Sequence, residues 1–409
     1  MSHTPLLSRA PLALALSVGA LALGCSDTAA PPGDAVDAGA ATDAAKVCVP
    51  TLPSSADSYA IERAPGSAEV TLARAIADRY ITEHPPATLR WDWGDGVLLA
   101  AMVELRRVTG DDAYRAYAAS WLDGQIATGY NVFMSDRCPP ADAAIALHGE
   151  TCDPKYRAVV DAVETYLYDE AKRTPDGGIS HLGTLAGATP QLWIDSLFMF
   201  GEVLVRAGEA YGETRALDTY DAQHLVFAHD LQDATTGLFT HAAFSGLAQD
   251  AGVFWGRGNG WVAAAASDYL RVRKLRGESA DAVLASFRAL AAGIVATQDA
   301  TTGLWWSIVS RPGETYLETS ASALFALGLA RGYRAGALDA SVLPVVHKAL
   351  TGVRSRIVDD AQGRPVVTGT SGPTSVGDFA SYAKVAQKDD LSYGVGAVIL
   401  ALVEASGLP

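Results

Sequence analysis

The chain of 409 residues carries 31 Lys and Arg against 46 Asp and Glu, which leaves a formal net charge of −15. Hydrophobic residues make up 49 % and charged residues 19 %, a composition typical of a folded protein with a large core. The acidic balance argues against a protein that binds nucleic acid or anionic lipid through a basic surface. Any attraction for a small anionic ligand must therefore be local.

The first 25 residues predict an export signal. Arg9 precedes an apolar stretch at 11–23 that is too short to span a bilayer, and the run Leu-Ala-Leu-Gly-Cys that ends at Cys25 resembles a bacterial lipobox. Its cysteine would be acylated and become the new N-terminus, and an ordinary secretory signal cleaved nearby is the alternative. Residues 26–54 predict a flexible acidic tether. We expect an exported lipoprotein, in the periplasm or at the cell surface, whose only membrane contact is the lipid anchor.

Three further cysteines are available for disulfides, which export permits. A bridge between Cys138 and Cys152 would close a short loop and contribute about 3 kcal/mol, and a bridge from Cys48 to either of them is the alternative. No run of cysteine and histidine has metal-ligand spacing, so we predict no metal and no cofactor.

The rest of the chain, residues 55–409, predicts a single all-helical domain. Several segments are apolar nearly all round, as buried helices are, and amphipathic segments that predict outer helices lie between them. The apolar segments lie at 97–105, 192–205, 261–270, 320–330 and 395–403.

An internal repeat suggests how these helices are organised. The sequence Gln-Asp-Ala-Thr-Thr-Gly-Leu followed by an aromatic residue occurs at 232–239 and again at 298–305. Each copy follows an amphipathic helix and precedes a buried one, so the unit is a helical hairpin of about 60 residues with an Asp/Gly turn. Six such hairpins predict an (α/α)6 barrel, and an open solenoid is the alternative. The very apolar last helix favours closure.

The most informative acidic residue is Asp195, which lies within an apolar run. Thr189 is a good helix N-cap and Pro190 suits the first helical position, which would place Asp195 in the second turn. Burial there raises the pKa of a carboxyl group and lets it act as a general acid near neutral pH. A structural hydrogen bond to a neighbouring loop is the alternative role.

The segment Trp255-Gly-Arg257-Gly-Asn-Gly-Trp261 runs into an Ala-rich helix. Its glycines allow close approach of a ligand, the Arg257 guanidinium suits a carboxylate, and the two indoles suit a sugar ring. A glycine turn with two core tryptophans is the alternative. We favour the ligand because a buried arginine without an anion would be costly.

Further candidates lie where loops enter the predicted inner helices. His181 and His241 follow two consecutive hairpin turns, so both should lie at the same end of the barrel. Asp142 opens another predicted inner helix, where a helix cap is an equally good interpretation. Trp93 opens the first one.

Together these motifs resemble glycoside hydrolase families 88 and 105, and family 105, the unsaturated rhamnogalacturonyl hydrolases, more closely. The resemblance covers roughly residues 70–405 and depends most on the Leu-Trp-Ile-Asp195 and Trp-Gly-Arg-Gly-Asn segments. It implies an (α/α)6 barrel that removes a 4,5-unsaturated uronyl group from the non-reducing end of lyase-generated oligosaccharides. It implies no metal and no covalent intermediate, unlike the two-carboxylate scheme of ordinary glycosidases.

The resemblance also implies roles for individual residues. Asp195 would protonate the enol ether and activate water. Asp142 would be the second acidic residue and contact the sugar hydroxyls. The residues that would line the sugar and its carboxylate are His181, His241, Trp255, Arg257, Trp261 and, where the family often has an aromatic residue, Trp93.

Two alternatives remain at this stage. One is an unsaturated β-glucuronyl hydrolase that acts on glycosaminoglycan or ulvan-like fragments, although the motifs have few of the basic residues that sulfate recognition needs. The other is a non-catalytic glycan-binding lipoprotein. The sequence makes no prediction of the oligomeric state.

Overall fold

The computed structural model describes Cys48 and residues 58–409. The predicted export signal at 1–25, with Cys25, and the predicted tether at 26–54, apart from Cys48, lie outside the described residues and stay predictions. Fifteen α-helices lie in residues 58–409. They are α1 (Ser58–Glu62), α2 (Ala68–Glu83), α3 (Trp93–Thr109), α4 (Asp112–Thr128), α5 (Pro140–Thr151), α6 (Pro154–Thr165), α7 (Ser196–Met199), α8 (Gly201–Tyr211), α9 (Thr214–Leu231), α10 (Gly256–Leu275), α11 (Asp281–Ala296), α12 (Thr319–Arg334), α13 (Leu343–Arg354), α14 (Phe379–Ala383) and α15 (Ser392–Ala405).

The strands of the described residues are two or three residues long and form antiparallel pairs in the loops. In chain order, with each strand paired to the next, they are β1 (Leu192–Trp193) with β2 (Ala242–Ala243), β3 (Trp305–Trp306) with β4 (Leu317–Glu318), β5 (Ile357–Asp359) with β6 (Pro365–Val367), and β7 (Thr370–Ser371) with β8 (Gln387–Lys388).

The helices form two concentric rings. The inner ring is α3, α5, α7 with α8, α10, α12 and α15, in that order, and α15 packs against α3 to close the circle. The outer helices α4, α6, α9, α11, α13 and α2 each pack mainly on one inner helix, and several also contact the next one. The predicted (α/α)6 barrel is therefore confirmed. The last inner helix is buried from Tyr393 to Ala405 because it has neighbours on every side.

Small residues allow neighbouring inner helices to approach closely. A Cβ atom on Gly328 of α12 would lie 2.8 Å from the Cβ atom of Ala263 of α10, and one on Gly260 would lie 2.7 Å from Leu324 Cβ. Both distances are shorter than carbon atoms tolerate. The Ala- and Gly-rich sequence of α10 is thus explained by packing against α12.

The repeated turns form the same hydrogen bonds in both copies. The Gln232 side-chain amide donates to the Gly237 carbonyl and to the Ser286 carbonyl of α11. Gln298 repeats this with the carbonyls of Gly303 and of Val345 in α13. Each turn is thereby attached to the next outer helix, which explains why both copies of the motif keep the glutamine.

The preferred cysteine pairing was wrong. The disulfide joins Cys48 to Cys152, whose Cα atoms are 5.5 Å apart, and Cys138 is a buried free thiol. Cys138 precedes α5 and Cys152 follows it. A helix of twelve residues is about 18 Å long, so these two cysteines lie much too far apart for a disulfide. The alternative pairing from Cys48 is the one observed.

A buried ion pair joins the two ends of the described barrel. Arg63 directly follows α1. One of its terminal nitrogens donates a hydrogen bond to each carboxyl oxygen of Glu404 in α15, at 2.9 and 3.0 Å, and both side chains are buried. Arg331 of α12 also contacts Glu404.

Within residues 58–409, no helix is both long enough and apolar enough to cross a membrane.

Candidate active site

The inner helices begin at one end of the barrel, which we call the entry end. Each inner helix is followed by an outer helix that runs back, so every loop into an inner helix lies at this end. At the entry end Trp93 packs on Tyr393, with ring centroids 4.3 Å apart, and so connects the starts of α3 and α15. Trp93 is partly exposed there, beside the candidate site.

Asp195 lies at the entry end, immediately before α7. The residue is 9 % exposed, and its carboxyl Oδ1 atom is buried without a hydrogen-bond partner among the described residues. Burial raises the pKa of the Asp195 carboxyl group, and the nearby charges of His181 and Arg257 oppose this rise. The side chain is thus a shielded acid whose Oδ1 atom has no hydrogen bond to satisfy it.

The local structure around Asp195 differs from the prediction. The helix begins at Ser196 and not at Pro190, because the preceding residues are extended. Leu192 and Trp193 form β1, which pairs with Ala242 and Ala243 of β2. These long-range backbone hydrogen bonds override the local capping signal of Thr189.

His181 lies between the indole of Trp193 and two carboxyl groups. Its ring is stacked on that of Trp193, with centroids 4.3 Å apart and an interplanar angle of 4°. Nδ1 lies 2.9 Å from Ser196 Oγ and 3.9 Å from Asp195 Oδ1, and Nε2 lies 3.8 Å from Asp136 Oδ1. The imidazole therefore separates two acidic side chains.

Asp136 is the second acidic residue of the site, and our reading of the sequence missed it. It belongs to a short 3-10 turn, Ser135–Arg137, in the loop that enters α5. The pKa of Asp136 is raised to about 6. Burial is the main cause, the charge of His181 opposes the rise, and the charge of Asp195 adds to it. Like His181 and His241, Asp136 lies in a loop that enters an inner helix, but it does not occupy the repeat position that singled out the two histidines.

Asp142, predicted to be the second acidic residue, does not belong with Asp195. It lies inside α5, and both of its carboxyl oxygens are buried without hydrogen-bond partners in the described part of the chain. Its pKa is raised well above the usual range, first by burial and then by the charge of Glu202 on α8. The first helical turn directs Asp142 toward the charged residues deeper in the barrel, so the assignment of Asp142 was wrong.

His241 also lies at the entry end, as the repeat predicted. Its Nδ1 atom lies 2.8 Å from the hydroxyl of Tyr382, and its Nε2 atom is buried without a partner among the described residues. The Gly377 N–H group donates to the same hydroxyl at 3.4 Å. Burial, followed by the charges of His181 and Arg257, holds the pKa of His241 far below its usual range, so the ring is neutral. A neutral ring whose Nδ1 atom accepts from the Tyr382 hydroxyl carries its proton on Nε2.

The Trp255 motif mainly organises the walls of the site. The Trp255 ring lies 4.3 Å from that of His241, centroid to centroid. Asn259 accepts a hydrogen bond from the Phe239 N–H group and donates to the carbonyls of Phe239 and Trp255. A Cβ atom on Gly258 would lie 2.4 Å from the Trp255 ring, so this glycine serves packing and not the approach of a ligand.

The structure contradicts the argument that Arg257 needs an anion. Arg257 is 1 % exposed, and its terminal nitrogens donate to the carbonyls of Ser371 and Gly372 and to Thr374 Oγ1, at 2.9 to 3.0 Å. Carbonyl dipoles replace the expected anion as acceptors. Arg257 therefore holds the 369–378 loop against α10, and a direct contact with a substrate carboxylate is not evident.

Trp261 was also wrongly placed by the sequence interpretation. It is 1 % exposed, and its ring packs on Phe198 with centroids 4.5 Å apart. One turn and a half into α10, it points into the core and has no face open to a sugar. The alternative interpretation, a core tryptophan, holds for Trp261.

Two groups of side chains in the described residues have the spacing of cation ligands. In the first, ligand atoms of Asp136, His181 and Asp195 lie within 4.8 Å of one another, and the second is Asp176 with His229 and Asp230. The three members of the first group come from separate segments, and in the second group Asp176 is 53 positions before the adjacent pair His229 and Asp230 of α9, so no local spacing in the sequence indicated either group.

Comparison with known proteins identifies the family. Residues 71–408 match the family described as Glycosyl Hydrolase Family 88. The unsaturated rhamnogalacturonyl hydrolase YesR of Bacillus subtilis is 26 % identical over 336 residues, which cover 81 % of this chain and 94 % of that protein. A possible member of the GH105 family from Klebsiella pneumoniae is 25 % identical with a TM-score of 0.72, over 82 % of this chain and 92 % of that one.

The fold is also that of a more distant solved structure. The unsaturated glucuronyl hydrolase of Bacillus sp. GL1 is 18 % identical, with a TM-score of 0.64, over 82 % of this chain and 95 % of that one. The family match extends from α2 to the last helix and includes every residue of the candidate site. The chain therefore belongs to glycosyl hydrolase family 88 and is a glycosidase.

Proposed function

We propose that this enzyme removes a 4,5-unsaturated uronyl group from the non-reducing end of oligosaccharides that a lyase has produced from rhamnogalacturonan-type pectin. The observation that carries the proposal is the Asp195 carboxyl, which is buried, has a raised pKa and keeps one oxygen without a partner. The name of the Bacillus relative, an unsaturated rhamnogalacturonyl hydrolase, supports the substrate class.

The reaction is a hydration of the enol ether. Protonated Asp195 gives its proton to C4 of the C4=C5 double bond, and the positive charge that develops at C5 is shared with the ring oxygen. A water molecule adds its oxygen to C5, and its proton returns to the Asp195 carboxylate. The resulting hemiketal opens to a ketone at C5, which leaves a hemiacetal at C1 that expels the remaining sugar as an alcohol.

Asp136 and His181 regulate the proton on Asp195. The buried Asp195 and the partly exposed Asp136, whose side chain is 24 % exposed, lie on either side of the His181 ring, so ionising both carboxyl groups at once is unfavourable. The pair retains a proton at pH values where an exposed aspartate is fully ionised. This meets the main requirement of a general acid that works near neutral pH.

His241 is the donor available to the uronate carboxylate. Its Nε2–H group is buried and has no acceptor among the described residues, and the Tyr382 hydroxyl holds the ring in place through Nδ1. A neutral N–H donor orients a carboxylate without raising the acidity of Asp195 as strongly as a full positive charge would. Trp193 and Trp255 flank the two histidines.

The experiment is an ultraviolet assay with unsaturated disaccharides from rhamnogalacturonan and from a glycosaminoglycan. We expect the absorbance of the enol ether to disappear with the rhamnogalacturonan product, and Asp195→Asn to abolish this loss. Loss with the glucuronyl product alone would instead indicate a glucuronyl hydrolase. Binding of both without turnover would contradict the proposal and indicate a glycan-binding protein.

We also propose that the enzyme is an exported lipoprotein anchored through Cys25. The Cys48–Cys152 disulfide supports export, because such bonds persist in oxidising compartments. Mass spectrometry of the mature N-terminus should find an acylated Cys25 in the membrane fraction, and Cys25→Ser should release the protein from that fraction. An unmodified N-terminus at another residue would contradict the anchor.

A further inference from the structure

Three large apolar side chains are exposed beside the site and have no role in the proposed reaction. Leu185 is 40 % exposed, Phe244 51 % and Leu247 52 %. Leu185 lies in the segment 182–190, which we call the first loop, and the other two lie in the segment 244–253, the second loop. Both loops directly follow the elements that carry the catalytic-site histidines.

Backbone pairing places the two loops side by side. The His181 N–H group donates to the Gln191 carbonyl, and Leu192 pairs with Ala243. The first loop therefore returns to the ladder at Gln191, and the second loop leaves it after Ala243, next to Leu192. Both emerge from the same end of this short ladder, so the two loops that carry the apolar side chains start in one region of the entry end.

Asp195 stands at the opposite end of the same ladder. It lies four positions after Gln191, which corresponds to about 13 Å of extended chain. Trp193, whose ring contacts His181, lies between the two positions. The apolar side chains are therefore within reach of the sugar units that follow the bond to be broken, while the uronyl group itself occupies the region around Asp195.

The second loop is held in a fixed shape. The Gln249 side chain accepts from the Ala242 N–H group at 3.1 Å and donates to the Ala242 carbonyl at 2.9 Å. Phe244 has a φ of +61°, a left-handed conformation that is unfavourable for a bulky side chain. Such conformations persist where the surroundings enforce them, often at ligand sites. The loop thus displays the Phe244 ring to solvent in a defined position.

We propose that Phe244, flanked by Leu185 and Leu247, is an apolar platform for the first sugar on the leaving side, and that it selects a neutral 6-deoxyhexose. The inference rests on the proposed function. The methyl group and apolar ring face of such a sugar match an exposed phenyl ring and two isobutyl groups. A uronate or a sulfated sugar would lose hydration against the same surface without gaining a charged partner.

The test compares two substrates of the intact enzyme. One is a disaccharide in which the unsaturated uronyl group is linked to a 6-deoxyhexose, and the other is the methyl glycoside of the same uronyl group, which lacks the second sugar. For Phe244→Ala we expect KM for the disaccharide to rise about tenfold with little change in kcat. The methyl glycoside should be turned over as before, and Phe244→Trp should restore the lower KM.

Leu275→Ala is the control, since Leu275 is an exposed apolar residue, 70 % exposed against 51 % for Phe244, at the far end of α10. It should change neither substrate. An equal effect of Phe244→Ala on both substrates, or none on either, would overturn the platform. The platform would also be overturned if the wild-type enzyme turned over the methyl glycoside as well as it turns over the disaccharide. This result would leave the proposed function intact. If the wild type turns over neither substrate, the proposed function fails and the platform fails with it.

Discussion

At the scale of single residues, the chemistry depends on two carboxyl groups that face one imidazole. Asp136 and Asp195 lie 3.8 and 3.9 Å from opposite nitrogens of His181, and burial raises the pKa of both. The imidazole is itself held by Ser196 and Trp193. The raised pKa that makes Asp195 an acid is therefore caused by its surroundings and not by the residue type.

Asp136→Asn should lower kcat by about a hundredfold, because the amide cannot share the proton of Asp195 and a positioned acid contributes rate factors of that order. Steady-state kinetics with an unsaturated disaccharide measures this effect. Asp142→Asn is the matched control, a buried aspartate of the same barrel that faces Glu202 and not Asp195. If the control loses as much activity as Asp136→Asn, the assignment of the second acidic residue is wrong.

The contribution of Asp136 to stability should fall as the pH rises from about 4 to about 6. The pKa of Asp136 is raised from 3.8 to about 6, so in this window this residue holds more protons in the folded protein than in the unfolded chain, and its contribution to stability decreases with pH. A rise of that size corresponds to about 3 kcal/mol. Urea unfolding at several pH values measures the slope, which Asp136→Asn should reduce. An unchanged slope would show that Asp136 titrates normally.

Residue identity predicted part of this site. Asp195, His181 and His241 could be identified because an apolar context and a repeat position are local features of the sequence. The core position of Trp261 could not be predicted. An indole suits the core and a sugar-binding cleft equally well, and only the packing of the helices decides between them. Asp136 lay in a loop with no repeat partner, and its neighbours are more than 40 residues away in the chain.

At the scale of elements, short strand pairs and one buried arginine shape the site. β1 and β2 hold Asp195 and His241 together through backbone hydrogen bonds. Arg257 holds the 369–378 loop, whose continuation brings Tyr382 to His241. The same strand pair explains why the helix start expected at Pro190 was wrong. Strand pairing joins residues about 50 positions apart and leaves no local signal in the sequence.

Arg257→Lys should detach the 369–378 loop while the barrel stays folded. A lysine cannot bond both carbonyls at once, and the loss of charged hydrogen bonds in a buried site costs about 3 kcal/mol. Limited proteolysis should cut this loop faster in the variant, and KM should rise. Arg311→Lys is the control, a more exposed arginine that contacts Phe379 of the neighbouring α14. Equal cleavage of the two variants would contradict the role of Arg257.

At the scale of the whole molecule, closure of the ring makes the site possible. Each inner helix is covered by its neighbours and by outer helices, so the sides of the barrel are closed and the candidate site lies at one of its ends. Closure was predictable because the apolar last helix needs neighbours on all sides, and the buried pair of Arg63 with Glu404 completes it. The ion pair itself was not predictable, because its partners are 341 residues apart.

Loss of the Cys48–Cys152 bridge should lower the stability of the entire barrel. The bond spans 104 residues and restricts the unfolded chain, an effect worth about 2–4 kcal/mol. Cys152→Ser should lower the melting temperature, and a reducing agent should lower that of the wild type but not that of the variant. Peptide mapping should recover Cys48 linked to Cys152. Recovery of Cys138 in a disulfide would contradict the structure.

The most direct test of the central claim is the reaction in deuterated water, followed by NMR of the product. If Asp195 delivers a solvent-derived proton to C4, the product carries one deuterium at C4 on a single face and a ketone at C5, and Asp195→Asn forms none of it. Release of an intact unsaturated uronate without deuterium at C4 would show that the enzyme breaks the C1–oxygen bond directly, and would contradict the account.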